Sequence, residues 1–153
     1  MSDVGQIERA TQNRVVKLFV ERLGYRYLGN WEARERTSNI ELTLLEPYLE
    51  GRGYSAAHIG RAVEALRKAA HVGAGANLYE ANQAVYGLLR YGVKVQPESG
   101  HQRDTVHLID WEHPENNDFA IAEEVTVLGE HTKRPDLVLY VNGIAVAVIE
   151  LKR

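Results

Sequence analysis

The chain has no cysteine among its 153 residues, which excludes a disulfide framework and any zinc site built on thiolates. It also lacks an apolar run near the roughly 20 residues that a membrane-spanning helix needs. No charged-then-apolar leader of the secretory kind stands at its start. Charge of one sign is missing as well: 18 basic against 21 acidic side chains leave a net −3, with a pI near 6.1. That balance argues against an autonomous nucleic-acid-coating module, which would be strongly basic. It leaves room for a DNA enzyme that draws affinity from other domains. The expectation is a soluble, cytoplasmic protein without membrane contact.

Other absences narrow the chemistry. The six histidines show no H-E-x-x-H or comparable ligand spacing, so a histidine metal site is not expected. No Ser-His-Asp or Cys-His arrangement is present. The glycine pairs Gly51/Gly53 and Gly73/Gly75 lack the lysine of a nucleotide-binding P-loop and read as helix-joining loops. Internal repeats, low-complexity tracts and linkers are absent too. What is there looks globular, with 44% hydrophobic and 25% charged residues in 17.2 kDa. One domain of this size buries about 70% of its unfolded surface and can hold a core unaided.

Periodicity divides the chain into a helical first part and a strand-rich second part. Ile7, Val15, Leu18, Phe19 and Leu23 recur at helical spacing from Gln6 to Leu23, with Gly24 at the expected C-terminal cap. A loop carrying Gly29 and Trp31 comes next. A second helix runs from Ile40 to Leu49, kinked or shortened by Pro47. Ser55 caps a third through Ile59, Val63, Leu66 and Ala70, and Asn77 opens a fourth that Gly92 ends.

Beyond Gly92 the period becomes two. Strands are expected at Val93–Val95, Thr105–Trp111, Phe119–Leu128, Asp136–Val141 and Ile144–Lys152. Turns fall at Pro97 to Gly100 and Pro114 to Asp118. The fold expected is α/β: a mixed sheet flanked by helices, with a helical N-terminal half.

The chemistry is concentrated in the last hairpin. Pro135-Asp136 opens one strand and Glu150-Leu151-Lys152 ends the next, joined through Asn142-Gly143. The run Ile144 to Ile149 is apolar on both faces, which predicts a central strand covered on each side. Side chains two apart point the same way, so Glu150 and Lys152 share a face. Burying a carboxylate and an ammonium there is costly unless they are paired or bind a metal. Carboxylates at Asp136 and Glu150 offer hard oxygen ligands for Mg²⁺. A lysine at 152 would orient water and offset charge on a phosphodiester.

Register tests this grouping. An unbroken hairpin with a two-residue turn pairs Val141 with Ile144 and Asp136 with Ile149, which turns Glu150 away. A three-residue loop with Gly143 left-handed pairs Tyr140 with Ile144 and Asp136 with Val148. Asp136, Glu150 and Lys152 then share a face, the two carboxylates lying diagonally at roughly 7–8 Å between backbone positions. A nuclease therefore requires a bulge, in the hairpin or at Asp136.

Asp136, thirteen residues, then Glu150-Leu151-Lys152 resembles the PD-(D/E)xK nuclease signature. That spacing alone is weak, because Asp, Glu and Lys are common. The wider text is more specific. Glu8-Arg9-Ala10-Thr11-Gln12-Asn13-Arg14-Val15, Leu23-Gly24-Tyr25, Asn117-Asp118-Phe119, Ala122-Glu123-Glu124-Val125 and Val141-Asn142-Gly143-Ile144 resemble the N-terminal nuclease domain of type I restriction endonuclease R subunits. The likeness runs over essentially the whole chain. It implies a restriction-endonuclease-like fold and Mg²⁺-dependent cleavage of double-stranded DNA, in complex with modification and specificity subunits. ATP would be used only by motor domains outside this sequence.

Carried over, Asp136 and Glu150 are the metal carboxylates and Lys152 the catalytic lysine. Glu8 is the candidate for a carboxylate from the first helix, with Glu21 on the same element. The family's Gln-x-x-x-Tyr helix after the lysine is not within residues 1–153, so the expectation is a nuclease domain cut after its catalytic lysine, a fragment of a longer R subunit.

Plainer readings stand beside these. Asp136 after a proline also suits a turn into a strand, Glu150 and Lys152 also suit a solvated strand end, and Glu8 suits a helix's first turn, where the dipole favours acids. Two rival functions keep the same fold: an inactive or incomplete docking module for protein partners, and a standalone repair or junction-resolving nuclease.

Overall fold

The computed structural model describes residues 3–35, 38–73, 75, 77–96, 98–100, 102–128 and 131–152. Pro97 of the predicted turn and His101 lie outside the described residues. The chain divides into two compact units: Met1–Glu41 together with Asp118–Arg153, and Leu42–Asn117 between them. No helix among the described residues is long and apolar enough to cross a membrane.

The first unit is built on a mixed sheet. Helix α1 (Asp3–Lys17) runs into a π-helical turn, Leu18–Arg22, closed by Leu23 N–H donating to Leu18 O at 3.2 Å. Gly24, at φ 72, then reverses the chain. The sheet has the order β1 (Arg26–Asn30), β4 (Phe119–Glu123), β5 (Leu137–Val141), β6 (Ile144–Ile149). Only β1 and β4 are parallel. Phe19 meets Tyr25 edge-on at 4.9 Å, and Tyr25 meets Phe119 at 5.5 Å. Aromatic contacts thus continue from the helix end into the sheet. Ala120, Ala122, Val125, Val138 and Tyr140 form a buried cluster against which Leu28, Trp31 and Ala145 pack.

Strand β1 lies where the sequence reads as a loop. Arg-Tyr-Leu-Gly-Asn has little apolar alternation, and its register shifts between Tyr27 and Gly29, where Gly29 takes φ 103. Pairing with a strand roughly 90 residues away supplies what local pattern does not. The strand expected over Phe119–Leu128 stops at Glu123, and a single bridge between Val127 and Lys133 lies beyond it.

Strand β6 is expected from its sequence to be central and covered on both faces. It is an edge strand, with Val146 48% and Val148 58% exposed. Beyond β5 its only backbone partners among the described residues are at its start, where Ile40 bridges Ile144 and Ala145 N–H donates to Asn39 O. An apolar run shows that a strand has suitable faces but not whether a neighbour lies on each.

The second unit is mainly helical. Helix α2 (Leu42–Gly51) contains Pro47 without ending there, because Leu45 and Leu49 are fully buried and hold it in place. Helix α3 (Ala56–Ala70) starts where Ser55 Oγ accepts from His58 N–H, and buries Ile59, Ala62, Val63 and Leu66. Helix α4 (Leu78–Tyr91) starts with a reciprocal capping box between Asn77 and Glu80.

Gly92 at φ 83 ends α4, and a Cβ there would meet Thr105 Cγ2 at 2.7 Å and Val106 O at 3.0 Å. Both φ and space therefore require glycine. Strands β2 (Val93–Val95) and β3 (Asp104–Val106) form a small antiparallel pair. The strand expected to continue to Trp111 ends at Val106, and side-chain hydrogen bonds organise the loop after it. Asn117 Oδ1 accepts from Asp110 N–H at 2.9 Å, and Asn117 Nδ2 donates to Asp110 O at 2.8 Å. A side chain that serves the loop backbone in this way competes with sheet pairing.

Candidate active site in the carboxylate hairpin

The hairpin turn is a two-residue one. Asn142 and Gly143 both take left-handed φ values, 51° and 82°, and Val141 pairs with Ile144. The three-residue loop that would pair Tyr140 with Ile144 is thus not the one adopted. Asn142 is fully buried; its Oδ1 accepts from Asp118 N–H at 2.7 Å and its N–H donates to Asp118 O at 2.8 Å. Asp118 in turn holds Arg26 through two contacts of 2.6 and 3.2 Å. The turn is therefore anchored to the start of β4, where the Asn117-Asp118-Phe119 and Asn142-Gly143-Ile144 segments meet.

A bulge occurs further along the hairpin. Tyr140 pairs with Ala145 but Leu139 with Ala147, so Val146 is the extra residue. After it, Val138 pairs with Val148 and Leu137 with Ile149. One more step of that register puts Asp136 opposite Glu150, and alternation puts both on the face that carries Val138 and Val148. The expected partner of Asp136, Val148, is displaced by two positions. Glu150, Leu151 and Lys152 lie just past the end of β6. Leu151 N–H donates to Asp136 Oδ2 at 2.6 Å, which ties the Glu-Leu-Lys segment to the aspartate.

The desolvation argument for these charges does not apply. Asp136 is half-buried, while Glu150 and Lys152 are exposed, so neither needs a partner to offset burial. Glu8 lies on α1, exposed, with no hydrogen bond or ion pair among the described residues. Gln12, one turn later on nearly the same side of the helix, reaches the sheet instead.

Gln12, Arg9, Tyr27 and Glu123 are the polar residues whose grouping the sequence reading missed. Glu123 closes β4 and is only 4% exposed. Its carboxylate accepts from Gln12 Nε2 at 2.6 Å and Tyr27 Oη at 2.6 Å, and Arg9 Nη1 lies at 3.2 Å. Those three donors offset the desolvation of a buried carboxylate. Burial first, then the hydrogen bond and charge of Glu123, push the Tyr27 hydroxyl up to about 12.

Glu124 comes next in left-handed geometry, φ 50. That conformation costs a non-glycine residue about 1 kcal/mol or more. Its N–H donates to Asp136 O at 2.9 Å, so Glu124, Asp136 and Glu150 occupy successive positions across three neighbouring chain segments. Glu124 Oε2 is paired with Arg134 Nε at 3.0 Å, and Arg134 also pairs with Glu32. A trace of this was visible in sequence, since Gln12 and the Glu123-Glu124 pair both fall inside segments that carry the family resemblance. Nothing local said that they meet.

Chemically, the hairpin end carries two carboxylates that the continued register brings toward one another, with an exposed ammonium two residues beyond Glu150 that has no ion-pair partner among the described residues. No cluster of three or more His, Asp or Glu among the described residues converges as a metal site. A cation of the Mg²⁺ type does not require one, since it usually keeps several waters and takes one or two carboxylates plus substrate phosphate. Asp136 and Glu150 fit that donor set.

The chain also has known relatives. The chain is similar to the type I restriction enzyme HindI endonuclease subunit of Haemophilus influenzae, with 35% identity over 95 residues, 60% of this chain and 9% of that protein. It is also similar to the putative type I restriction enzyme MjaIXP endonuclease subunit of Methanocaldococcus jannaschii, with 36% identity over 73 residues, 44% of this chain and 7% of that protein. The matched regions thus span less than a tenth of the length of either relative. No solved structure matches. A family model described as type I restriction enzyme R protein N terminus (HSDR_N) matches residues 5–153, so the chain belongs to the type I restriction enzyme R protein N-terminal family.

Proposed function

We propose that this domain carries out Mg²⁺-dependent endonucleolytic cleavage of double-stranded DNA, as the nuclease part of a type I restriction enzyme R subunit. The observation that carries the reading is the bulge at Val146, after which the register Val138–Val148 and Leu137–Ile149, continued by one step, would bring Asp136 opposite Glu150. Without that extra residue, a two-residue turn would put the carboxylates on opposite faces. Family membership supplies the context, and the names of the relatives, both endonuclease subunits, agree with it.

In this reading Asp136 and Glu150 hold the ion, which when bound supplies Lewis-acid polarisation of a phosphoryl oxygen and a more acidic water. Leu151 N–H holds one oxygen of Asp136 and so limits the carboxylate's rotation. The Lys152 ammonium, exposed and unpaired among the described residues, faces the scissile phosphate. It orients the attacking water and offsets the negative charge that builds on the phosphoryl oxygens. Glu8 is kept as the helix carboxylate of the site, one turn before Gln12. Modification and specificity subunits would choose where cutting occurs, and ATP would drive motor domains elsewhere in the R subunit.

The test is calorimetric titration of Mn²⁺ into this chain and into Asp136→Ala and Glu150→Ala, with cleavage assays on the whole R subunit carrying the same changes. Binding by the parent that both variants lose, together with loss of cutting, is the expected result. Full cutting by an R subunit with both carboxylates removed would end this reading.

A further inference from the structure

We propose that the helical unit, Leu42–Asn117, carries a second site: a cleft that stacks an unpaired nucleobase on Trp111, with Arg90 beside it to receive the phosphate. The cleft holds about 310 Å³, at the lower end of the roughly 300–1,000 Å³ typical of small-molecule sites. Trp111 is 50% exposed there, and its indole N–H donates to Leu89 O at 2.8 Å, which fixes the ring's orientation. A large apolar ring held rigidly with half its surface in water is poised for contact. The Arg90 guanidinium lies over one face of the Trp111 ring, 5.3 Å from its centroid, and 5.8 Å over that of Tyr91, within cation–π range. A base would therefore stack on the part of the indole that Arg90 leaves exposed. No carboxylate pairs with Arg90 among the described residues.

Other polar groups of the cleft are tied to one another. Arg52 Nη2 pairs with Asp110 at 3.0 Å, and Asp110 also accepts from His113 N–H and Asn116 Nδ2, each at 2.9 Å. The Tyr54 hydroxyl accepts from His107 N–H at 3.0 Å. These bonds hold the walls still; among the described residues Arg90, the Trp111 ring face and Glu112 are left to meet a ligand. Two arginines against Asp110 and Glu112 leave the lining near neutral, which suits a stacked base with one phosphate better than a long run of backbone phosphates. The base comes either from a DNA strand end or displaced strand, or from a free nucleotide. Only the DNA source rests on the nuclease reading above.

The experiment is fluorescence anisotropy of a labelled single-stranded oligothymidylate of about eight nucleotides, titrated with the whole chain in EDTA so that no metal-dependent step contributes. Trp111→Leu and Arg90→Gln are each expected to weaken binding roughly tenfold or more, and Trp111→Phe to retain most of it. Circular dichroism confirms that each variant is folded. Competition by thymidine monophosphate at similar concentration assigns the site to free nucleotides, and competition only by unlabelled strand assigns it to DNA. Absent binding, or binding indifferent to both Trp111→Leu and Arg90→Gln, overturns the proposal and leaves the exposed ring as a surface for protein contact. Failure of the Mn²⁺ titration leaves this readout intact.

Discussion

The two units keep their polar groups in different ways. In the helical unit the helix ends and the loop after β3 are closed by local bonds, Ser55 to His58, Asn77 to Glu80, and Asp110 to Asn116 and Asn117, all within seven residues. Arg52–Asp110 and Tyr54–His107 tie that loop back to the segment after α2. In the sheet unit the side-chain bonds that gather charge span far more of the chain. Gln12 and Glu123 are 111 positions apart, Arg26 and Asp118 are 92, and Tyr27 and Glu123 are 96. Short-range bonds shape helix ends and loops with little dependence on the rest of the chain. Long-range ones gather charge where strands end, as Gln12, Tyr27 and Arg9 do around Glu123.

The widest expected separation is in chemistry. Asp136→Ala and Glu150→Ala should abolish the Mn²⁺ heat and lower cleavage by the whole R subunit by at least 10²–10³-fold, about 3–4 kcal/mol of barrier. Lys152→Ala should slow cutting on a similar scale but leave Mn²⁺ binding in place, as parallel calorimetry and turnover assays would show. Equal loss of metal affinity in all three would mean that Lys152 supports the site's shape, not the reaction.

Core packing comes next. Leu66→Ala, at a fully buried position on α3, should cost about 2–5 kcal/mol in urea denaturation. Replacing Glu123 by Ala leaves Tyr27 without its acceptor and Gln12 with only Glu124 Oε1, and should cost about 1–3 kcal/mol. If Glu123→Ala proved neutral, the remote network would be incidental and the contrast between the units would lose its sharpest example. Asn77→Ala, which removes the capping box of α4, should cost about 1 kcal/mol.

The smallest effects concern pH. Hydrogen bonds from Asn116 and then from His113 N–H hold Asp110 below the usual carboxylate range. Its contribution is therefore complete above an unfolded value near 4 and is lost as the pH falls through the lowered folded value. Tyr27 has the opposite sign. With its hydroxyl raised to about 12, its contribution is complete below an unfolded value near 10 and fades as the pH rises towards 12. Stability profiles of Asp110→Asn and Tyr27→Phe against the parent should differ at opposite ends of the pH scale.

Apolar spacing and end signals predicted all four helices. Ser55, Asn77 and Gly92 mark their boundaries as expected, because a cap acts on backbone groups within one turn. Pro47 does not end α2, since burial of Leu45 and Leu49 outweighs the missing N–H. Strand β1 was hidden because Arg-Tyr-Leu-Gly-Asn becomes a strand only when β4 is beside it. The hairpin turn could be read from Asn142-Gly143, a pair that takes two left-handed conformations in succession at low cost.

The segments that carry the family likeness were likewise visible in sequence, and they identify the family without any coordinates. The bulge at Val146 was not legible in position. Nothing in Ala-Val-Ala marks which residue is left unpaired, and that is decided by how β5 and β6 fit one another. Composition, caps and turn chemistry thus determined by themselves which helices form, where the hairpin turns and which residue types are available at its end. Only the tertiary structure decided that β6 lies at an edge, that Gln12 and not Glu8 reaches Glu123, and that the register after Val146 brings the Glu-Leu-Lys segment to Asp136. The reason is that a one-residue change of register reverses every side chain on a strand, and register is a property of two strands in contact, not of either sequence alone.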